Sequence, residues 1–208
     1  MKKTTYYIVR HGETIGNTQK IIQGHSDTEL TEKGIAQAHA IREELSHINF
    51  AAAYSSDLGR AITTAEIFLK DKKIPYKTSP LIRERCFGKY ETGLYNDMFE
   101  ANIEFHDMLE SLAHEERRVS KLSDDIECDA ELWERFSTFI KETAPNYISE
   151  NVLVISHGGF MKALLLELHY DTYENTLKGR FGNTGYIKLS VDESKIEIDE
   201  VKGFTIRE

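Results

Sequence analysis

Cysteine is scarce. Cys86 and Cys128 are the only two, too few for a disulfide framework or a thiolate zinc site, and both are expected to be reduced thiols. Proline is nearly as thin, with three in 208 residues, and neither a repeat nor a low-complexity tract interrupts the chain. No apolar run approaches the roughly 18 residues that a membrane span needs. Lys2 and Lys3 precede the apolar residues 6–9, but that run stops at Arg10-His11, too short for an export signal. A cytoplasmic location without a membrane partner is therefore expected. Positive charge is also in the minority, 26 Lys+Arg against 35 Asp+Glu for a net −9. So acidic a surface repels polyphosphate backbones, so nucleic acid is not an expected partner. Any anion bound here must be held by a local cluster of cations working against the overall field.

What is present describes a folded protein. Hydrophobic residues make up 40% and charged ones 29%, and a chain of this length buries roughly 70% of its unfolded surface as one domain. A single unit over residues 1–208 is expected, with 85–127 as a cap. Residues 6–9 and 152–155 read as buried strands, 50–54 and 76–78 as two more, and 186–191 with 196–201 as a hairpin through Asp192-Glu193-Ser194. Residues 13–29 read as a polar loop. Thr31 caps a helix running to Leu45, with Leu30 stapled onto Ile35 and Ile35, Ala38 and Ile41 facing inward. Asp57 is read as the cap of a helix to Leu69, which puts Arg60 in its first turn. Residues 80–96 read as loop and 97–113 as helix, while 114–127 are charged without a clear period; this middle part is taken as a mobile cap. Helices are expected at 130–143, ended by Pro145, and at 159–169. Strands alternating with helices predict an α/β three-layer sandwich, with a mostly parallel central sheet and helices on both faces.

Two short runs share one form. Ile8-Val9-Arg10-His11-Gly12 and Val154-Ile155-Ser156-His157-Gly158 each end a buried strand with one polar residue and His-Gly. If both strands are parallel members of one sheet, their carboxyl ends open on the same side, where ligands bind in such folds. Two imidazoles separated by 146 positions would then face one crevice. The other six histidines, His25, His39, His47, His106, His114 and His169, have no such placement and are read as surface or core residues.

The first run extends as Arg10-His11-Gly12-Glu13-Thr14 with Asn17 three residues on, then Gln23-Gly24-His25 with Asp27, then Leu30-Thr31 with Gly34. Tyr54-Ser55-Ser56-Asp57-Leu58 with Arg60-Ala61, Arg83-Glu84-Arg85 with Phe87-Gly88, and Ser156-His157-Gly158-Gly159 follow in order. Together these motifs closely resemble the histidine phosphatase superfamily, the phosphoglycerate-mutase-like proteins, nearly end to end. The resemblance implies that His11 is a nucleophile forming a phosphohistidine, and that Glu84 is general acid to the leaving oxygen and then base toward water. It implies that Arg10, Arg60 and His157 surround the phosphoryl group, whose charge spreads over three oxygens and calls for donors already in place. Asn17, Gln23, Gly24 and Gly158 are implied as phosphate- or substrate-binding positions. A small phosphorylated metabolite is the implied partner, a homodimer is in keeping with the architecture, and no cofactor is implied.

Other chemistries fit poorly. Neither cysteine has the arginine that a cysteine phosphatase needs. The stretch 88–93 imitates a P-loop but places Leu94 and Tyr95 where Lys and Ser/Thr belong. No tight ligand cluster for a metal stands out. Departures from the family gather in the cap. Tyr90-Glu91-Thr92-Gly93 replaces a Trp-Glu-Gly, and Asp125-Ile126-Glu127-Cys128 replaces a Gly-Gly-Glu-Ser, although Arg135 keeps its spacing. Asp124-Asp125 is expected to bring negative charge near the anion site. A histidine acid-type phosphatase is the expected activity. A cofactor-dependent phosphoglycerate mutase is the alternative within the family, and a phosphate-ligand-binding protein without turnover the alternative outside it.

Overall fold

Alternation along the first strand sets the architecture. In β1 (Thr4–Arg10), Tyr6 and Ile8 point to one face and Tyr7 and Val9 to the other, all of them buried. A strand apolar on both faces needs a layer above and below it. A computed structural model describes residues 2–206 and contains both layers; Met1, Arg207 and Glu208, the ends of the expected 1–208 unit, lie outside the described residues.

The sheet also contains β2 (Phe50–Ser55), β3 (Tyr76–Thr78), β4 (Asn151–Ser156), β5 (Gly179–Val191) and β6 (Ile196–Ile206), in the order β3-β2-β4-β1-β5-β6. The first four run parallel and β5 pairs antiparallel with both β1 and β6, so the sheet is mixed. Helices α2 (Glu32–Glu44) and α3 (Gly59–Leu69) cover one face, where Ile41, Ala61, Ala65 and Phe68 meet Tyr7, Val9, Leu153 and Ile155. Helices α7 (Asp129–Thr143) and α8 (Gly158–Glu167) cover the other, with Phe136, Phe139, Phe160 and Leu164 against Tyr6, Ile8, Val152 and Val154. Both core layers are built from the strand and helix stripes that periodicity marks out.

Several local expectations change. The loop after β1 contains a helical turn, α1 (Ile15–Thr18), closed by a capping box between Thr14 and Asn17. Ile35 is 41% exposed, and Gly34 takes the inward place on α2 instead. The reason is steric: a Cβ on Gly34 would come 2.0 Å from the Glu13 carbonyl oxygen. Asp57 does not cap α3. It forms two hydrogen bonds with the Arg83 guanidinium, both at 2.6 Å, while Asp27 accepts from the Arg60 backbone N–H. Residues 80–82 and 88–90 are single 3₁₀ turns, not plain loop. The expected 97–113 helix is two, α4 (Tyr95–Ala101) and α5 (Ile103–Ser111), broken at Asn102, whose side chain turns back to the Met98 carbonyl and the Tyr90 hydroxyl. A further turn, α6 (His114–Arg117), follows. The hairpin strands turn where expected but extend further from the turn, β5 beginning at Gly179 and β6 running to Ile206.

The segment expected as a mobile cap is tied to the body at two adjacent residues. Arg118 grips Glu167 of α8, Nε to Oε1 at 2.9 Å, and the Glu167 side chain is only 4% exposed. The Arg117 guanidinium lies 3.7 Å from the ring centroid of Tyr173, at the start of α9 (Tyr173–Lys178).

Candidate active site

β1 and β4 pair in parallel with Arg10 opposite Ser156. The ladder continues one step, the His11 N–H donating to the Ser156 carbonyl at 3.0 Å. Equal strand ends therefore bring His11 and His157 side by side, ring centroids 5.2 Å apart and planes inclined at 58°. Both are almost completely buried.

The His11 ring sits 2.7 Å, through Nδ1, from the Gly12 carbonyl oxygen. A carbonyl only accepts, so the proton is on Nδ1 and the neutral ring carries its lone pair on Nε2. Burial, with the charges of Arg60 and Arg10 beside it, drives the His11 pKa well below its usual value. His157 is lowered for the same first reason, then by Arg60, His11 and Arg10. Both imidazoles are thus neutral at pH 7.

Arg60 projects from the first turn of α3 and its side chain is 1% exposed. Nη1 donates to the Ser26 carbonyl at 2.8 Å and to Asp27 Oδ1 at 2.9 Å, and Nη2 donates to the Gly24 carbonyl at 2.8 Å. Gly24 has φ +52, and a Cβ there would sit 2.2 Å from Glu91 Oε1, so glycine is required for this turn. Arg10 donates to the Phe181 carbonyl. Burial moves its pKa down to about 10, with Glu84 opposing and Arg180 and Arg60 adding to the fall, which leaves it charged at neutral pH. The Nε atoms of both arginines and both ring nitrogens of His157 are buried without a hydrogen-bond partner. Buried polar atoms seldom remain so; the charges of both arginines act on His11 and the His157 ring lies against it.

Glu84 lies against the N-terminal turn of α8. Oε1 accepts the N–H groups of Arg85 at 2.9 Å and Phe160 at 2.7 Å, and Oε2 accepts that of Gly159 at 3.0 Å. Two lone pairs of Oε1 are thereby occupied and one position on Oε2 is left. Gly158 opens α8, its Cα so near Arg10 that a Cβ would stand 3.1 Å from Nε.

Arg10, His11, Asn17, Gln23, Gly24, Arg60, Glu84 and Gly158 all line one cavity of about 650 Å³, and His157 lies against His11 beneath it. Asn17 uses Oδ1 on the Thr14 N–H and on Asn183 Nδ2, so its amide donors are the part left for a ligand. Gln23 lines the cavity and also braces the loop beside it. Its Nε2 donates to Thr14 at 2.9 Å and its Oε1 accepts from Thr28 at 2.8 Å, so the amide organises the loop. Asp124 and Asp125 lie outside the cavity lining; Asp125 accepts from the Lys89 N–H and the Ser123 hydroxyl.

Sequence reasoning missed the groups that aim the site. Glu91 accepts the backbone N–H groups of His25, Ser26 and Phe87 at 2.9–3.0 Å, which joins the turn that holds Arg60 to the turn that holds Glu84. His25 Nε2 donates to the Glu84 carbonyl at 3.0 Å. Asn183, in a Gly-Asn-Thr-Gly run, donates to the His11 carbonyl and to Asn17, both at 3.1 Å. That glycine-flanked run inside a strand was the one visible signal. Among the described residues no cluster of three His, Cys, Asp or Glu side chains is placed to hold a metal ion, and no helix is long and apolar enough to cross a membrane.

Two neutral imidazoles, the buried Arg60 and the half-buried Arg10 stand at the carboxyl edge of an α/β sheet, and the fold is that of the histidine phosphatases. The chain belongs to the histidine phosphatase superfamily (branch 1), whose family model matches residues 6–202. It is similar to phosphoglycerate mutase-like protein 4 of Arabidopsis thaliana, 32% identical over 159 residues, 76% of this chain and 67% of that one. It is also similar to the adenosylcobalamin/alpha-ribazole phosphatase of Escherichia coli (strain K12), 29% identical over 163 residues, 78% of this chain and 77% of that one. Among solved structures, phosphoglycerate mutase from Bacillus anthracis str. Sterne superposes with TM-score 0.82 at 28% identity, covering 97% of this chain and 93% of that one.

Proposed function

We infer that this protein hydrolyses phosphomonoesters of small metabolites through a phosphohistidine at His11, as an acid-type histidine phosphatase. One observation carries the reading: Nε of Arg10 and of Arg60 and both ring nitrogens of His157 are buried without a partner, on side chains that stand against His11 or act on it by their charge. These donors match the equatorial oxygens of a phosphoryl group in transfer. Neutral His11 attacks phosphorus through Nε2 while the P–O bond to the leaving group breaks. Glu84 gives the leaving oxygen a proton from Oε2, the oxygen with an open position. Water, deprotonated by the same carboxylate, then breaks the P–N bond and releases phosphate.

A phosphate-release assay with p-nitrophenyl phosphate and a phosphosugar panel tests this, together with mapping of the acid-labile phosphoryl adduct. An adduct on another side chain would falsify the nucleophile assignment. A cofactor-dependent mutase is the second reading, favoured by the 28% likeness to the B. anthracis mutase. Interconversion of 2- and 3-phosphoglycerate without net phosphate release selects it, and binding with neither activity selects a phosphate-ligand-binding protein.

A further inference from the structure

The catalytic side chains close only one end of the cavity. A phosphoryl group fills a small part of about 650 Å³, a volume typical of pockets that enclose whole organic ligands. Its lining also includes Met98, Phe105 and Leu109 of the cap and Leu166 and Tyr173 of the body. Apart from Glu84, the carboxylates bordering the cavity are already engaged. Glu13 accepts from Lys33 and Thr31, Glu127 from Arg135 and the Cys86 N–H, and Asp129 from Arg85. A polyol is recognised by oriented acceptors for its hydroxyls, and these three are committed within the protein.

His106 is different. Its ring stacks on Phe99 at 4.4 Å and 20°, and meets Phe105 edge-on at 6.0 Å. It lines the cavity, yet both ring nitrogens are buried and neither has a hydrogen-bond partner, an exception that calls for a ligand, an ion or water. Burial lowers its pKa, with Asp107 and Glu110 opposing. The neutral ring offers one donor and one acceptor beside Phe105 and Leu109 in a wall whose polar members include Asn96, Arg117 and Ser120.

We propose that the cap end of the cavity is an aromatic subsite, which takes a planar ring on the leaving group of the phosphoester while His106 hydrogen-bonds to a polar atom at that ring's edge. The subsite rests on the phosphate-binding reading of the His11 pocket, which anchors the ester with its body toward the cap. Phe105 and Tyr173 supply aromatic surface for offset or edge-on contact.

Calorimetric titration of the full chain with three non-hydrolysable phosphonates tests this: methylphosphonate, 1-naphthylmethylphosphonate and quinolin-5-ylmethylphosphonate. Both ring compounds are expected to bind about tenfold or more tightly than methylphosphonate, the quinoline best. His106→Phe keeps the stacking surface and should erase only the quinoline's advantage over naphthalene. Leu109→Glu places charge in the wall and should erase the advantage of both rings, so the subsite remains testable if the His106 variant misfolds. Equal affinity for all three overturns the subsite, and a quinoline advantage that survives His106→Phe overturns the part given to His106. Turnover of p-nitrophenyl phosphate, measured alongside, separates the two readings. Ring preference without turnover leaves the subsite and sinks the hydrolase; turnover without ring preference does the reverse. Binding of none of the three removes the phosphate pocket and the subsite together.

Discussion

Arg60 is held by Gly24, Ser26 and Asp27 so that only its remaining donors can turn to a ligand. Removing such a donor by Arg60→Ala should lower kcat/KM about 10²–10³-fold, ~3–4 kcal/mol of transition-state stabilisation. Arg60→Lys should restore little, because a point charge cannot keep three directed bonds and still reach a phosphoryl oxygen. His11→Ala should abolish turnover and the phosphoryl adduct; steady-state release by that variant is the contrary result. The lowered pKa values of His11 and His157 also set a pH dependence. Below about pH 6.5 the unfolded chain binds protons at both positions and the folded one does not. Stability is therefore full above pH 6.5 and falls as pH drops, by up to roughly 1.4 kcal/mol per pH unit for each histidine. Urea unfolding at pH 7.5 and 5.5, compared with a His157→Gln variant, measures it. At this scale the convergence of Arg10, His11, Arg60 and His157 was legible because they stand at strand and helix ends, whereas Glu84 lies in a loop and was marked only by its motif. Glu91 was not, since its three bonds go to backbone atoms, which leave no mark on side-chain pattern.

Helices and strands with a sustained period were readable, and those without one were not. β1, β4 and α7 carry long apolar alternations or stripes that only one layer arrangement buries. The break at Asn102 is invisible to periodicity because a side chain replaces the missing helical partner of the Met98 carbonyl. The longer hairpin was missed because β6 is largely exposed and reads as polar. Among elements, the cap's attachment makes a distinct prediction. Arg118→Ala leaves the Glu167 carboxylate buried without its cation. That should cost about 2–3 kcal/mol in urea unfolding, and Glu167→Gln should cost less. Equal stability of both variants and the parent would show the cap attached by other contacts. Between elements, Glu91 ties two turns. Glu91→Ala should lower kcat with stability, and Glu91→Gln should recover part of both by keeping one acceptor oxygen.

For the whole molecule, net charge is −9 while the pocket is cationic, so the positive cluster around His11 is held together against its own repulsion. An anion that fills it should stabilise the fold by mass action. Phosphate or vanadate at about 100 times its Kd should add ~2.7 kcal/mol, several degrees in Tm for a protein of this size. Differential scanning calorimetry with and without the anion reads this, and an Arg10→Met variant should show little of the rise. A mostly parallel sheet was legible from strand and helix alternation, whereas the antiparallel pairing of β5 with β1 and the order, with β4 between β2 and β1, depend on pairings that no local pattern encodes.

That order has a kinetic corollary. The seam between β1 and β4 joins stretches far apart in the chain, Thr5 pairing with Asn151, so closing it means shutting a very long loop, a slow and entropically uphill event. A polypeptide emerging from the ribosome holds His11 early but not the His157 ring beside it until the fourth strand arrives. Regain of catalysis during refolding should accordingly track the slowest major phase, making turnover itself a reporter of when the seam zips shut.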